Sequence, residues 1–170
     1  MVDFVAKRHS SKVLRTRVGS VEVSRAMIDN DALLGLEENG GFFYAPQIPV
    51  RDGLMTSVLM LEALSYQSRR FSEIVEELPK FYQRKTKFEC PKKITNEVMK
   101  EIKSKSTGKV EEIDGVKLWA DKNTWILLRP SGTEPLIRVF GESKDIKKLD
   151  GLIEKYSTIV ENIIKKIKMG

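Results

Sequence analysis

Arg129, Ser131, Gly132, Thr133 and Arg138 bring two guanidiniums, two hydroxyls and a glycine into ten residues, a set suited to binding an oxyanion. They lie in the run Arg129-Pro130-Ser131-Gly132-Thr133-Glu134-Pro135-Leu136-Ile137-Arg138. A guanidinium offers a flat fork of donors that grips phosphate or carboxylate oxygens two at a time. Ser131 and Thr133 add hydroxyl donors that carry no charge. Gly132 keeps the loop small, so that its N–H groups can converge on one point. Pro130 and Pro135 bracket the turn and remove two donors that a sheet would otherwise need. The apolar run before this loop (residues 124–128) and the one after it (136–140) both favour strands. The segment reads as strand, tight loop, strand, in the form of a phosphate clamp. The plainer alternative is a hairpin in which Ser, Gly and Thr serve turn geometry and the arginines lie in solvent.

A second cluster, Gly35-Leu36-Glu37-Glu38-Asn39-Gly40-Gly41, stands upstream. Glu37 and Asn39, two residues apart between glycines, can accept from and donate to adjacent sugar hydroxyls. A solvated turn has the same composition.

The two clusters together resemble the α-D-phosphohexomutases, the phosphoglucomutase/phosphomannomutase family. Arg129 to Pro135 matches all seven residues of that family's phosphate-binding loop, and Ile137-Arg138-Val139 matches the strand after it. Residues 35–41 are similar to its sugar-recognition loop. Arg15-Thr16-Arg17-Val18-Gly19 resembles the strand end that precedes this loop, and Arg51-Asp52-Gly53 the start of the helix that follows. Two positions depart from the pattern. Leu36 replaces a usual glycine, and Gly41 stands where bacterial members often carry histidine, so no acid/base role is expected there.

The resemblance implies reversible phosphoryl transfer, converting a hexose 1-phosphate to its 6-phosphate through a hexose 1,6-bisphosphate. In such enzymes a serine in a T-A-S-H-N-P-like loop carries the phosphoryl group, and a D-G-D-x-D-R loop holds Mg2+. Neither motif occurs in these 170 residues. The expectation is therefore a C-terminal portion: an engineered piece, or a split or truncated gene product. It would hold most of domain three, lacking its first strand, and all of domain four. It would bind substrate without turning it over, and no residue of it would be catalytic or hold metal. Arg129, Ser131, Gly132, Thr133 and Arg138 would hold the phosphate that is not being transferred, and Glu37 and Asn39 the sugar. Those two side chains would serve glucose, mannose and glucosamine alike. The implied partners are a hexose phosphate and the missing N-terminal domains, and a homo-oligomer stays open.

Composition fits that reading. With 41% hydrophobic residues the chain can build ordinary cores. No apolar run is long enough for a membrane span, and the charges within residues 1–11 leave no signal-peptide core. Cys90 and His9 are single, which excludes a disulfide framework and a Cys/His zinc site and suits a cytoplasmic protein. Cys90 has no second Cys or His to activate it and reads as an inert strand-end residue, and His9 as a surface helix residue.

Charge is uneven. Residues 1–80 hold 10 Lys+Arg against 11 Asp+Glu, and residues 81–170 hold 20 against 13, so the net of +6 sits in the second part. A basic half suits phosphorylated ligands. Nucleic acid is the weaker reading, because the lysines interleave with glutamates along helices and no Lys/Arg block exceeds two. The alternative function is a non-catalytic phosphate- or nucleic-acid-binding module retaining the fold. Trp119 and Trp125 would be its base-stacking platforms, yet both lie in strand-like runs and are expected to be buried.

The positioning elements follow from periodicity. Helices are expected over residues 2–10, 21–29, 53–65 (capped by Asp52) and 72–78 (capped by Ser72), and strands over 12–18, 33–35 and 42–44, before Pro46 and Pro49 break the chain. A strand over 82–89 opens the second domain. A helix over 95–104, strands near 109–113 and 116–120, the two clamp strands and a long helix over 145–168 complete it. The apolar stripe of that last helix is wide enough for domain core, although a coiled-coil dimer would use similar spacing. The predicted fold is an α/β domain three remnant over residues 1–80, followed over 81–170 by an α+β domain with helices on one sheet face.

Overall fold

The computed structural model describes residues 1–169. The chain forms two compact units, Met1–Pro79 and Lys80 onward.

The first unit runs α1 (Val2–Arg8), α2 (Ser20–Asp29), β1 (Leu34–Leu36), β2 (Phe42–Tyr44), β3 (Ile48–Arg51), α3 (Gly53–Ser65) and α4 (Phe71–Glu76). Its three strands form an antiparallel sheet in sequence order. Val23 and Met27 of α2 pack on Phe43 to make a small core. Gly35 permits this contact, since a Cβ there would stand 2.5 Å from Met27 Sδ and 2.7 Å from Val23 Cγ1.

Three expectations for this unit are corrected. Residues 12–18 form no strand. Their alternation is real, but a strand exists only as part of a ladder, and among the described residues neither sheet includes them. β3 forms where two prolines suggested a break. It is an edge strand, and an edge tolerates a missing donor. α4 starts at Phe71 rather than at Ser72, because Glu73 reaches back to accept from the Arg70 N–H at 3.1 Å.

The second unit runs β4 (Tyr82–Glu89), α5 (Lys92–Ser104), β5 (Lys109–Glu111), β6 (Val116–Asp121), β7 (Thr124–Pro130), β8 (Leu136–Ser143) and α6 (Ile146–Met169). Its antiparallel sheet has the order β4-β8-β7-β6-β5, so the first strand pairs with the last. Strand period two gives the sheet one apolar face. Val116, Leu118, Ile126, Leu128, Ile137 and Val139 are buried there against Val98 and Ile102 of α5 and Tyr156, Val160, Ile163 and Ile164 of α6. The α6 stripe is thus domain core. Asp145 caps that helix, its Oδ1 accepting from the Lys148 N–H at 3.1 Å. α5 begins three residues before the expected Thr95, directly after Pro91, a residue suited to a helix start.

The opposite face of the sheet carries the other half of each strand. Trp119 and Trp125 stand there directly opposite each other, half-buried rather than in the core. The ammonium of Lys117 lies 4.4 Å and 4.5 Å from their ring centroids. Alternation decides the matter: their neighbours Leu118 and Ile126 take the core side.

Candidate phosphate clamp and sugar loop

The clamp loop is the connection between β7 and β8. The register pairs Arg129 with Arg138 and Pro130 with Ile137, and Ser131 N–H then donates to Leu136 O at 2.9 Å to close the loop. Leu136 N–H donates to Glu134 O at 2.9 Å, and Glu134 N–H to Ser131 Oγ at 3.2 Å. Ser131 therefore accepts one bond inside the loop and keeps its own O–H to donate. Pro130 and Pro135 have no N–H. The backbone donors left over are those of Gly132 and Thr133, which hold no partner among the described residues. Both residues are exposed, and a Cβ at Gly132 would meet nothing within 4 Å. The loop is anchored from outside as well, because Cys90 N–H donates to Pro135 O at 2.8 Å. Cys90 itself is fully buried at the end of β4.

Arg129 and Arg138 share one sheet face, away from the helices. The Arg129 side chain is 15% exposed, its Nη1 lies 3.5 Å from Asp114 Oδ2, and its Cζ lies 5.9 Å from the Phe140 ring centroid. Arg138 pairs with Glu134, four residues back across the loop. The Nε of each arginine is buried and without a hydrogen-bond partner. On β4, Lys87 is registered opposite Arg138. Three cations thus stand in a row over three adjacent strands, and sequence reasoning had found only two of them. Lys87 was legible as an exposed strand residue, but its place beside the clamp depends on the pairing of the first and last strands.

The sugar loop closes on itself in the first unit. Glu37 N–H donates to Gly41 O at 2.8 Å, Gly40 N–H to Glu37 O at 3.1 Å, and Gly41 N–H to Asn39 Oδ1 at 3.1 Å. Gly40 has φ +90°, a conformation glycine takes at little cost. Asn39 thereby fixes the turn with its oxygen, and its NH2 makes no hydrogen bond among the described residues. Glu37, 10% exposed at the side chain, sits with Oε2 3.2 Å from Arg51 Nε. A Cβ at Gly41 would stand 2.5 Å from Arg51 Cδ and 2.9 Å from Glu37 Oε2. Glycine rather than histidine at this position is what lets Arg51 lie across Glu37.

Asp52 then caps α3, its Oδ1 accepting from Met55 N–H at 2.9 Å and its Oδ2 from Gln47 Nε2 at 3.2 Å. The Met55 N–H, followed by the Gln47 amide, holds this carboxyl below its ordinary value of 3.8. Among the described residues no three His, Cys, Asp or Glu stand together to hold a metal. No helix among them is long and apolar enough to cross a membrane.

Comparison with known proteins covers both units. The family model "Phosphoglucomutase/phosphomannomutase, alpha/beta/alpha domain III" matches residues 1–82, and the model of the family's C-terminal domain matches residues 86–157. A phosphoglucomutase/phosphomannomutase of Thermococcus kodakarensis is 38% identical over 97% of this chain and 36% of its own length. A phosphoglucosamine/phosphogalactosamine mutase of Sulfurisphaera tokodaii is 41% identical over 95% of this chain and 36% of its own length. A phosphoglucosamine mutase of Methanocaldococcus jannaschii is 32% identical, with 96% and 37% covered. The crystal structure of a phosphoglucomutase/phosphomannomutase family protein from Burkholderia thailandensis superposes with a TM-score of 0.80 at 17% identity, over 95% of this chain and 35% of that one. The chain thus spans a little over a third of the length of the curated relatives it matches. By both family models and these relatives, the chain belongs to the phosphoglucomutase/phosphomannomutase family and carries its third and C-terminal domain folds.

Proposed function

We propose that this chain is the substrate-holding part of a phosphohexomutase, an isomerase that interconverts hexose 1-phosphates and 6-phosphates through a hexose 1,6-bisphosphate. The first unit, to about residue 80, holds the sugar through Glu37 and Asn39. The second holds the phosphate that is not reacting through Arg129, Arg138, the Ser131 and Thr133 hydroxyls and the Gly132 N–H. The observation that carries this reading is the arginine pair flanking a loop whose only unused backbone donors are those of Gly132 and Thr133. Two positive groups beside two N–H donors form a site for a dianion. Binding energy at this remote phosphate orients the reacting end of the sugar. A clamp that reads only phosphate accepts either end of the bisphosphate, as an enzyme using one nucleophile on both ends requires.

Phosphoryl transfer itself falls to groups outside these 170 residues: a phosphoserine, and Mg2+ to offset the charge of the moving phosphoryl. The chain alone is then inactive, and the N-terminal domains that carry those groups are its partners, in a cytoplasmic setting. The named relatives are mutases, and nothing in them favours the nucleic-acid-binding alternative.

The test is an amide NMR titration of the 170-residue chain with glucose 1,6-bisphosphate, with a short DNA duplex as control. Shifts centred on residues 129–138, and no response to DNA, are expected. Arg129→Ala should cost about 2–4 kcal/mol of affinity, since it removes a largely desolvated charge partner. Unchanged affinity in that variant refutes the assignment.

A further inference from the structure

The turn between β5 and β6 contributes to the clamp although it lies in none of its motifs. Val116 is registered with Leu128, so the next pair outward along these strands is Gly115 and Arg129. Gly115 has φ +93°, and a Cβ on it would stand 2.4 Å from Leu128 O, 2.7 Å from Arg129 Cβ and 2.9 Å from Arg129 Cα. No other residue type lets this turn lie so close against the backbone of Arg129. The closeness has a consequence for charge: the preceding residue, Asp114, brings its Oδ2 to 3.5 Å from Arg129 Nη1. Asp114 is itself only 25% exposed at the side chain.

We propose that Asp114 is a positioning residue for the phosphate clamp, fixing the Arg129 guanidinium before ligand arrives, with Gly115 as the hinge that sets Asp114 there. The proposal rests on the clamp reading above. An arginine side chain is rich in rotamers, and an anion must order it on binding unless something has already done so. Cross-strand register supplies the Cα of Arg129, and the Phe140 ring supplies one wall. Neither fixes the far end of the guanidinium. Asp114 does so from the side opposite Arg138, whose own guanidinium is held by Glu134. The carboxylate also offsets part of the repulsion between two arginines directly across from each other. A side chain that only neutralised Arg129 would compete with phosphate, and its removal would tighten binding. One that orders Arg129 would weaken binding on removal, so the two roles have opposite signs.

The experiment follows the Arg129 guanidinium Nη–H resonances and the affinity for glucose 1,6-bisphosphate in the full 170-residue chain, comparing wild type, Asp114→Ala, Asp114→Asn and Arg129→Ala. Before ligand is added, Asp114→Ala should move the Arg129 Nη–H signals to the position and fast exchange of a free arginine. Asp114→Asn, which keeps an oxygen acceptor, should retain them. Asp114→Ala should then bind on the order of tenfold more weakly, with most of the loss recovered in Asp114→Asn. An Arg129 signal unchanged in Asp114→Ala overturns the positioning role, as does equal or tighter binding. If Arg129→Ala binds like wild type, the clamp reading itself falls and the positioning role with it. The ligand-free Arg129 signal tells the two failures apart.

Discussion

Arg129 and Arg138 stand directly opposite each other on β7 and β8, two like charges at one rung of the ladder. Each has its own carboxylate, Asp114 for the first and Glu134 for the second. Like charges so placed disfavour the fold, and the two carboxylates offset this only in part. A bound dianion would remove the remaining repulsion. The arrangement is the kind expected where a site is preorganised for a ligand at some cost to the empty protein.

Phosphate should therefore stabilise the second unit. Both tryptophans, Trp119 and Trp125, lie in that unit, so intrinsic fluorescence follows its unfolding selectively. At a glucose 1,6-bisphosphate concentration ten times the dissociation constant, mass action gives about 1.4 kcal/mol. Urea titrations with and without ligand should show this gain in wild type and lose it in Arg129→Ala and Arg138→Ala. An equal gain in all three proteins would place the anion elsewhere.

Lys87 should matter less than either arginine. It is exposed, and it joins the cationic row only through its register with Arg138. An exposed point charge near the site adds on the order of 0.5 kcal/mol. Lys87→Ala should weaken glucose 1,6-bisphosphate binding about two- to threefold, an effect that added salt should erase more completely than the loss in Arg129→Ala. Calorimetric titration at low and high ionic strength separates the two.

The strand–loop–strand form around residues 129–138 was legible in the sequence because its signal is local: seven consecutive residues between two apolar runs. The long helix and the strands of the second unit were legible for the same reason, their periods being written along single segments. What depends on pairing was not. Lys87 comes beside Arg138, and Asp114 beside Arg129, only through the β4–β8 and β6–β7 registers, and nothing near either residue in the chain announces it. Trp119 and Trp125 were misplaced because hydrophobic character was read without the alternation that sends each to the uncovered face. Residues 12–18 show the opposite failure, a sound local pattern with no neighbouring strand to complete it. Pro49 hid β3, since a proline forbids a central strand but not an edge.

Gly115→Ala should be among the most damaging single-methyl additions in the second unit. It combines a positive φ with backbone contacts at 2.4 Å and 2.9 Å, neither of which a side-chain rotation can relieve. A loss of about 2–4 kcal/mol is expected from the strained conformation and the overpacking together. Urea unfolding followed by tryptophan fluorescence measures it. Gly132→Ala, with nothing within 4 Å of the added Cβ, is the control and should be nearly neutral in stability.

Breaking the pair beneath the sugar loop should loosen the first unit. Glu37 is mostly buried and Arg51 about half exposed, so water screens one end of the interaction. Arg51→Ala leaves the carboxylate without this partner and should cost about 1 kcal/mol, below the figure for a fully buried pair. Faster amide exchange at Gly35, Glu37 and Phe43 would report it. Unchanged exchange would mean that Arg51 does no more than cover the loop.

The cap of α3 should make the first unit acid-sensitive. Asp52 accepts from the Met55 N–H, and its folded carboxyl titrates below its ordinary value of 3.8. A depressed folded value means that the unfolded chain takes up the proton first. The cap's contribution is therefore fully present above 3.8 and is lost as pH falls through the lower, folded value. Asp52→Asn keeps a capping oxygen that does not titrate in this range. Protection of the Met55 and Thr56 amides should fall in wild type as pH drops below that point and stay level in Asp52→Asn. A parallel decline in both proteins would assign the acid sensitivity to other carboxylates, such as Glu77, whose bond to Arg69 depresses its titration in the same unit.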